Sequence, residues 1–318
     1  MHRKIERFLK KVPLWFNRVK VLAFLRYPLS RAKQKKYRLK LLYSRPLKNL
    51  KISPIDHKQI PIYIIVYNQL KFLKQLVKFL EDYGYKNIHF IDNASTYRPL
   101  LEYLTKTPYV VHRMDKNYGY KVFTNSGYFD DVIKNEYYVL TDPDVVPVKD
   151  CPKDFLLDFY NILNTYPDCI SKVGCALKID DISKEFEYKK DWESDYWNPD
   201  YQLQSPVGFE LYIAPIDTTF ALYRPRQNVR HTYSAIRVAG LYTALHLPWY
   251  AENHDEEIKQ YIKTSGESST LADEIKGKKM KNQSACRRFV FQANKSDDGY
   301  LRIRIFRIRV LKIKLKRL

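Results

Sequence analysis

The sequence predicts an α/β fold with a doubly wound, mostly parallel sheet at its centre. Between residues 60 and 146, short apolar runs typical of buried strands alternate with segments of helical periodicity, which is the pattern of a parallel sheet covered by helices. Asn68, Asp92, Asn117 and Asp144 fall just beyond the ends of the predicted strands. Because ligands of doubly wound sheets bind beyond the carboxyl ends of the strands, these polar residues also predict where a functional site lies.

Each predicted element has a local basis. Ile62–Val66 is a continuous apolar run, as expected for a strand buried on both faces. Apolar residues of the segment 70–80 recur on one helical face, and Gly84 follows as a stop signal. The same criteria predict further strands at 88–91, 109–112, 137–140, 172–179 and 220–223, helices at 98–104, 124–133, 155–163 and 256–263, and a polar, irregular region over 180–206.

Positive charge is concentrated at the two ends of the chain. The formal net charge is +21, with 17 Lys and Arg against one acid in residues 1–51 and eight against none in residues 302–318, which leaves −3 for the centre. We therefore predict a basic N-terminal segment and linker over 1–54, a body over 55–300 and a basic tail over 301–318. The helical pattern in residues 5–29 fits an amphipathic helix on an anionic membrane, or a helix packed on the body with a solvated basic face.

The sequence also predicts a cytoplasmic location. The four cysteines form no Cys-x-x-Cys pair, so free thiols in a reducing compartment are expected. No run of 18 apolar residues occurs, and Lys and Arg interrupt the apolar residues near the N-terminus. These features predict neither a transmembrane helix nor a secretory signal.

The segment around Asp142-Pro143-Asp144 carries the strongest chemical signal. Tyr137-Tyr138-Val139-Leu140 leads an apolar strand straight into two carboxylates that are one residue apart. Placing carboxylates at the end of a buried strand has a desolvation cost, which a divalent cation carrying a diphosphate would offset. The alternative is a simple Asp-Pro-Asp turn, since both residue types form turns.

Two other motifs lie upstream. Asp92 follows the second strand, where an acid of a nucleotide-binding sheet accepts hydrogen bonds from a base or ribose; no Gly-x-Gly-x-x-Gly precedes it, which argues against a dinucleotide-binding fold. Asn117-Tyr118-Gly119 and Asn125-Ser126-Gly127 place glycines where the backbone turns tightly beside a ligand. Each Asn-x-Gly is equally typical of an ordinary turn.

Together, these motifs resemble the nucleotide-sugar domain of family 2 glycosyltransferases, which have the GT-A fold. The matching segments are Val66-Tyr67-Asn68, Asp92-Asn93-Ala94-Ser95, Asn117 to Gly127 and Asp142-Pro143-Asp144, in the order and spacing of the family. The resemblance covers residues 60–147. It implies that 55–300 is a GT-A domain, with a nucleotide-sugar and metal half over 55–150 and an acceptor half over 151–300.

The resemblance also implies roles for individual residues. Asp144, together with Asp142, is expected to hold Mn²⁺ or Mg²⁺ on the diphosphate. The expected nucleotide-sugar-binding residues are Tyr67, Asn68, Asp92, Asn93, Asn117, Gly119, Lys121, Asn125 and Asp142.

The C-terminal half offers weaker candidates. Asp217 and Glu256 are the candidates for the catalytic base, with Glu252, Asp255 and Glu257 behind them; each is equally well interpreted as a surface acid. His246 is a candidate third metal ligand, or else a hydrogen-bonded core residue. Trp249 and Tyr250 would stack on an acceptor sugar, or belong to the core.

The predicted function is metal-dependent transfer of a sugar, with inversion, from a nucleotide diphosphate sugar to a hydroxyl of a saccharide or lipid-linked saccharide, as in cell-surface polysaccharide or lipopolysaccharide synthesis. The basic ends would hold the enzyme on the inner face of the cell membrane. Two alternatives are a nucleotidyltransferase, whose Gly-rich phosphate loop is missing after Val66, and a nucleic-acid-binding protein. No nucleic-acid motif accompanies the alternating basic stretch 302–309, so a nucleic-acid partner is not expected.

Overall fold

The computed structural model describes residues 52–166, 170–203, 205, 208–216, 218–225, 234–250, 256–264, 291–295, 300–305 and 308–314. The chain divides between Glu252 and Asn253 into two compact units. The predicted N-terminal helix at 5–29 lies outside the described residues. None of the described helices combines the length and the apolar composition that a membrane span requires.

Strands and α-helices alternate through the first part of the chain, and strands predominate later. In chain order, the strands are β1 (Ile62–Val66), β2 (Ile88–Asp92), β3 (Val110–Arg113), β4 (Tyr138–Thr141), β5 (Val145–Pro147), β6 (Lys172–Cys175), β7 (Gln202–Leu203), β8 (Leu211–Ile213), β9 (Ala221–Tyr223), β10 (Ala235–Val238), β11 (Ala244–His246), β12 (Phe291–Lys295), β13 (Tyr300–Ile305) and β14 (Ile308–Lys314). The α-helices are α1 (Lys71–Asp82), α2 (Arg98–Lys106), α3 (Val122–Asn125), α4 (Asp130–Asn135), α5 (Phe155–Thr165), α6 (Tyr188–Glu193) and α7 (Glu256–Thr264).

The first unit is built on a large mixed sheet with the strand order β3-β2-β1-β4-β9-β6-β10-β8-β7 within the described residues. β3, β2, β1 and β4 are parallel, and so are β6 and β10. β9 runs antiparallel between β4 and β6, and β8 and β7 continue antiparallel at the far edge. The prediction of an α/β fold around a large sheet is therefore confirmed, with parallel pairing concentrated in the half that holds the motifs.

Apolar side chains cover both faces of this sheet. On one face, Leu73 of α1, Leu100 of α2 and Phe155 of α5 join a core with Ile64. On the other, Phe123 of α3 and Phe129 pack with Tyr63, Tyr138 and Tyr223. All five residues of β1 are buried, which explains why the strand reads as an unbroken apolar run. Each fully buried aliphatic or aromatic side chain contributes about 1.5–3 kcal/mol to the free energy of folding. The helices packed on both faces therefore stabilise the sheet.

Some sequence-based boundaries were wrong. The single helix predicted over 124–133 is two short helices, α3 and α4, because Gly127 between them has φ +73°, a conformation that ends a helix. The strand predicted over 172–179 ends at Cys175, after which Leu177 makes an isolated bridge to Ala244. The region 180–206 contains α6, short 3₁₀ turns and β7.

The second unit contains α7 and a three-stranded antiparallel sheet, β12-β13-β14. The alternating stretch predicted as an amphipathic strand corresponds to β13 and β14, which pair with each other. β12 pairs with β13 as well, although its residues fall before the predicted boundary at 301. A register irregularity between Ile303 and Arg304 brings Arg309 opposite Arg304 and Lys312 opposite Arg302.

Candidate functional site

The loops that follow β1 to β4 leave the same edge of the sheet. Val66 pairs with Asp92, Asp92 pairs with Arg113, and Ile64 pairs with Thr141, so the four parallel strands end at similar heights. The residues predicted from the motifs in this half therefore lie along one rim. Nucleotide-binding sheets use this edge because helix N-termini and loop amides converge there.

Asn68 locks the loop after β1 to the loop after β2. Its Oδ1 accepts hydrogen bonds from the amides of Thr96 (2.7 Å) and Tyr97 (2.9 Å), and its own amide donates to Ser95 Oγ (3.2 Å). The residue is fully buried and has φ +50°, a conformation that Asn tolerates better than most residues. These contacts assign Asn68 to loop architecture, whereas the sequence predicted a ligand contact.

Asn93 and Asn117 form a second lock, between the loops after β2 and β3. Asn93 Oδ1 accepts from the Tyr118 amide (2.9 Å), and its Nδ2 donates to Asn117 Oδ1 (2.9 Å) and to the Gly119 carbonyl (3.1 Å). Asn117 Oδ1 also accepts from the Gly119 amide (2.7 Å). Gly119 has φ +68°, so the glycine is required for this turn. The lock fixes the start of the segment that carries Lys121.

Lys121 and Asn125 remain on the surface of this rim. Both residues are exposed, and Lys121 lies over the Tyr120 ring with its Nζ 5.0 Å from the ring centre. Thr124 Oγ1 donates to Asn125 Oδ1 (3.3 Å). Tyr67, which directly follows β1, is half-buried. These three predicted residues therefore stay accessible, in contrast to Asn68 and Asn93.

Asp92 and Arg113 form an ion pair at the ends of neighbouring strands. Asp92 Oδ2 accepts from Arg113 Nη1 (3.3 Å), and Oδ1 accepts from the Ser95 amide (3.0 Å). The carboxylate side chain is 4% exposed and the guanidinium side chain 50%. Sequence analysis missed Arg113, because only the β2–β3 register shows that it lies beside Asp92.

The second carboxylate of the Asp-Pro-Asp motif lies beside His246. Asp144 is 7% exposed, and within the described residues its Oδ1 has no hydrogen-bond partner. His246 Nε2 lies 4.0 Å from that oxygen. β5 and β11 pair antiparallel with His246 opposite Val145, and the Leu247 amide donates to the Asp144 carbonyl (2.8 Å), so the backbone holds the two side chains together.

This pair offers a carboxylate oxygen, which suits Mg²⁺ and Mn²⁺, together with an imidazole nitrogen. An unpaired buried carboxylate oxygen is costly unless a cation meets it. Among the residues that the structure describes, no group of three or more His, Cys, Asp or Glu side chains could hold a metal ion. Within the described part of the chain, Asp144 and His246 would therefore be the two ligands of such an ion, and Asp142, Asp144 and His246 do not form the predicted trio.

Asp142 makes different contacts. Its Oδ2 accepts a hydrogen bond from Thr218 Oγ1, and its amide donates to the Thr218 carbonyl (2.9 Å). The first carboxylate is thus tied to the segment that enters β9, while the second lies next to His246. Thr218 was not identified from the sequence, since the antiparallel return of β9 alongside β4 is what places it next to Asp142.

The candidate catalytic bases Asp217 and Glu256 have no described side chains. Asp217, Glu252 and Asp255 lie outside the described residues. Glu256 and Glu257 begin α7 in the second compact unit. The assignment of Asp217 or Glu256 as the base stays a prediction.

Trp249 and Tyr250 divide between core and surface. Trp249 is 3% exposed, and its ring centre lies 4.7 Å from that of His246. It supports His246 from within the core, so its ring is not available for the predicted stacking on a sugar. Tyr250 is half-buried, and its hydroxyl donates to the Lys178 carbonyl (3.2 Å).

Comparison with known proteins adds no relative. No protein-family model matches the chain, and no curated protein sequence matches it. The functional interpretation therefore depends on the rim described above.

Proposed function

We propose that this protein is a metal-dependent glycosyltransferase that uses a nucleotide diphosphate sugar as donor. The observation that supports it most strongly is the buried Oδ1 of Asp144, which has no hydrogen-bond partner among the described residues and lies 4.0 Å from His246 Nε2. The rim that carries this pair also holds Asp92 and Arg113. Mn²⁺ or Mg²⁺ commonly binds one or two protein ligands together with substrate phosphates. The scarcity of protein ligands among the described residues of this rim is consistent with a metal that arrives with a diphosphate.

The positions along the rim suit a nucleoside diphosphate. Asp92 is the last residue of β2 and Asp144 follows β4. β1 lies between the two strands, so two interstrand spacings, about 10 Å, separate them. The Asp92 carboxylate accepts hydrogen bonds and the Arg113 guanidinium donates them. Together, the two side chains match a base edge that carries both an N–H and a carbonyl. The exposed Lys121 would offset phosphate charge on the same side.

The reaction follows from these roles. The acceptor hydroxyl oxygen forms a bond to the anomeric carbon while the bond from that carbon to the diphosphate oxygen breaks, and the diphosphate leaves with the electron pair. A metal held by Asp144 and His246 would supply Lewis-acid neutralisation of the leaving group. A carboxylate takes the hydroxyl proton, with Asp217 and Glu256 as the candidates. Inversion at the anomeric carbon is the expectation from the motif resemblance.

A donor screen tests the proposal. Wild-type protein is incubated with a panel of nucleotide diphosphate sugars and saccharide acceptors, with Mn²⁺, with Mg²⁺ and with chelator, and release of nucleoside diphosphate is measured. We expect release that requires metal and acceptor. If the protein instead formed sugar nucleotide from nucleoside triphosphate and sugar phosphate, the nucleotidyltransferase alternative would be correct.

We also propose that the basic ends bind an anionic membrane surface, where a lipid-linked acceptor lies. The composition of the C-terminal end supports this. Residues 302–318 contain eight Lys and Arg and no acid, and β13 and β14, which include Arg302, Arg304, Arg309 and Lys312, pair with each other. Each basic residue near an anionic surface contributes about 1 kcal/mol to binding.

A further inference from the structure

The segment from Pro215 to Thr218 is held in place by two buried cationic side chains. It connects β8 to β9 and delivers Thr218 to Asp142. Arg237 of β10 and Lys172 of β6 each donate to one backbone carbonyl of this segment. Both cations lie on the sheet face that also carries Tyr138 and Tyr223, and neither was identified from the sequence.

Arg237 holds the first carbonyl. Its Nε donates to the Pro215 carbonyl (3.0 Å), while its Nη1 pairs with Glu193 Oε2 (2.6 Å). The two charged side chains are 5% and 1% exposed. The Tyr196 ring covers the guanidinium, 4.5 Å from its carbon. A planar guanidinium is well suited to this arrangement because it donates in several fixed directions at once.

Lys172 holds the next carbonyl. The residue is 1% exposed, and its Nζ donates to the Ile216 carbonyl (2.5 Å) and to the Tyr223 hydroxyl (3.1 Å). Burying an ammonium group has a large desolvation cost, which its hydrogen bonds must offset. A Met side chain would fill a similar volume without that desolvation, so stability alone gives a weak reason for a lysine at this position.

Thr218 links the segment held by Arg237 and Lys172 to the Asp-Pro-Asp motif. The carbonyls of Pro215 and Ile216 are fixed by the two cations, and Thr218 bonds Asp142 through both its hydroxyl and its carbonyl. Asp142 is two residues before Asp144. Asp142, and with it the backbone that leads to Asp144, is therefore connected to the interior of the sheet by directed hydrogen bonds.

We propose that Lys172 and Arg237 are positioning residues that act through Thr218 and Asp142 to hold the loop that carries Asp144, the proposed metal ligand, in place during sugar transfer. The inference rests on the proposed function. Because a displacement of about 1 Å at a reacting centre can cost about 100-fold in rate, loss of either contact affects the rate of transfer more than it affects donor binding.

A double-mutant cycle in the full chain tests this proposal. Lys172→Met and Thr218→Val are made singly and together, and kcat, donor KM and melting temperature are measured with the best donor from the screen. We expect each single variant to lose about 10-fold or more in kcat, with less than a threefold change in donor KM. The double variant is expected to be no slower than the slower single variant, because both substitutions interrupt the same chain of contacts.

Matched variants separate positioning from a loss of structure. Thr218→Ser keeps the hydroxyl and is expected to restore most of kcat, and Lys178→Met removes a more exposed lysine and is expected to leave kcat within twofold. If Lys172→Met does not fold, the comparison of Thr218→Val with Thr218→Ser decides the proposal.

Three results would overturn it: wild-type kcat in Thr218→Val, wild-type kcat in folded Lys172→Met, or multiplicative losses in the double variant. An inactive wild type with every donor would contradict the proposed function itself, and the positioning proposal with it.

Discussion

Asp144 Oδ1 and His246 Nε2 lie 4.0 Å apart although about a hundred positions separate the two residues in the sequence. The antiparallel pairing of β5 with β11 creates this proximity, with Val145 opposite His246. The carboxylate oxygen is buried and has no hydrogen-bond partner among the described residues. Trp249 packs against the imidazole from the core side, which limits how the ring can turn.

Removing the guanidinium of Arg113 should weaken donor binding specifically. Arg113 donates to Asp92 and is half exposed, so it is available to a base. A hydrogen bond to a charged group contributes about 1.5–3 kcal/mol, and we therefore expect Arg113→Met to raise donor KM about 10-fold with kcat changed less than threefold. Steady-state kinetics with the best donor checks this. Arg98→Met, on an exposed helix pair with Glu102, is the control; equal effects of the two variants would refute the role of Arg113.

Asn68 should matter for stability. It is fully buried and joins the loops after β1 and β2 through two amide donors. Asn68→Ala leaves those amides unpaired and places a less tolerant residue at φ +50°, so we expect a loss of about 2–4 kcal/mol in the free energy of unfolding. Asn68→Asp keeps a carboxylate oxygen in the place of Oδ1, which accepts from both amides, and should lose less. Urea denaturation measures both, and an Asn68→Ala variant as stable as wild type would contradict the structural role.

The parts of the fold that could be predicted from the sequence are those with a local signal. β1 and α1 were predicted because an unbroken apolar run and a helical apolar stripe are local patterns. The helix over 124–133 failed because the positive φ of Gly127 is a backbone choice that periodicity does not reveal.

The candidate site shows the same difference between local and non-local signals. Asp92 and Asp144 were predicted as site residues because they lie at or just beyond the ends of predicted strands, in a recognisable order. Arg113 depends on the β2–β3 register and Thr218 on the return of β9 beside β4, which are non-local features. His246 was chosen by residue type, and only the β5–β11 pairing places it next to Asp144. Trp249 resembles a sugar-stacking residue in sequence, yet its burial makes it a support for His246.

Acid should destabilise the protein through a histidine pair on β2 and β3. His89 Nδ1 lies 3.0 Å from His112 Nε2, His89 Nε2 lies 3.0 Å from Asn87 Oδ1, and the imidazoles stack. Burial, with a contribution from His112, lowers the pKa of His89 to about 4, and burial lowers the pKa of His112 as well. The neutral forms are therefore favoured in the folded state.

The sign of the pH effect follows from these shifts. Between about pH 6.5, the pKa of an unfolded histidine, and about pH 4 the unfolded chain binds more protons than the folded one at His89. The stability that the pair contributes is present above this window and is lost as pH falls through it. Allowing for solvent screening, we expect the free energy of unfolding to fall by about 1–2 kcal/mol across this window. Urea denaturation from pH 7.5 to 4.5 measures it, and a His89→Asn/His112→Asn variant with the same pH dependence as wild type would exclude the pair as its source.

The basic residues of β13 and β14 should make the protein bind anionic vesicles. We expect wild-type protein to float with vesicles that contain anionic phospholipid and not with neutral ones. Replacing Arg302, Arg304, Arg309 and Lys312 by Ser should weaken binding at least 10-fold. The control removes the same charge from the exposed Lys86, Lys134, Lys149 and Lys153 of the first unit. Equal losses in both variants would show that net charge alone matters, and a preference for DNA over vesicles would favour the nucleic-acid alternative.

The most direct test of the central claim is calorimetric titration of Mn²⁺ into the full chain, alone and with nucleoside diphosphate, for wild type, Asp144→Asn, His246→Asn and Asp131→Asn. We expect tight binding only when the diphosphate is present, a loss of about 10-fold or more in Mn²⁺ affinity for the first two variants, and no change for the exposed Asp131 of α4. Mn²⁺ affinity that is unchanged in Asp144→Asn and His246→Asn would contradict a cation bridged between this rim and a sugar nucleotide.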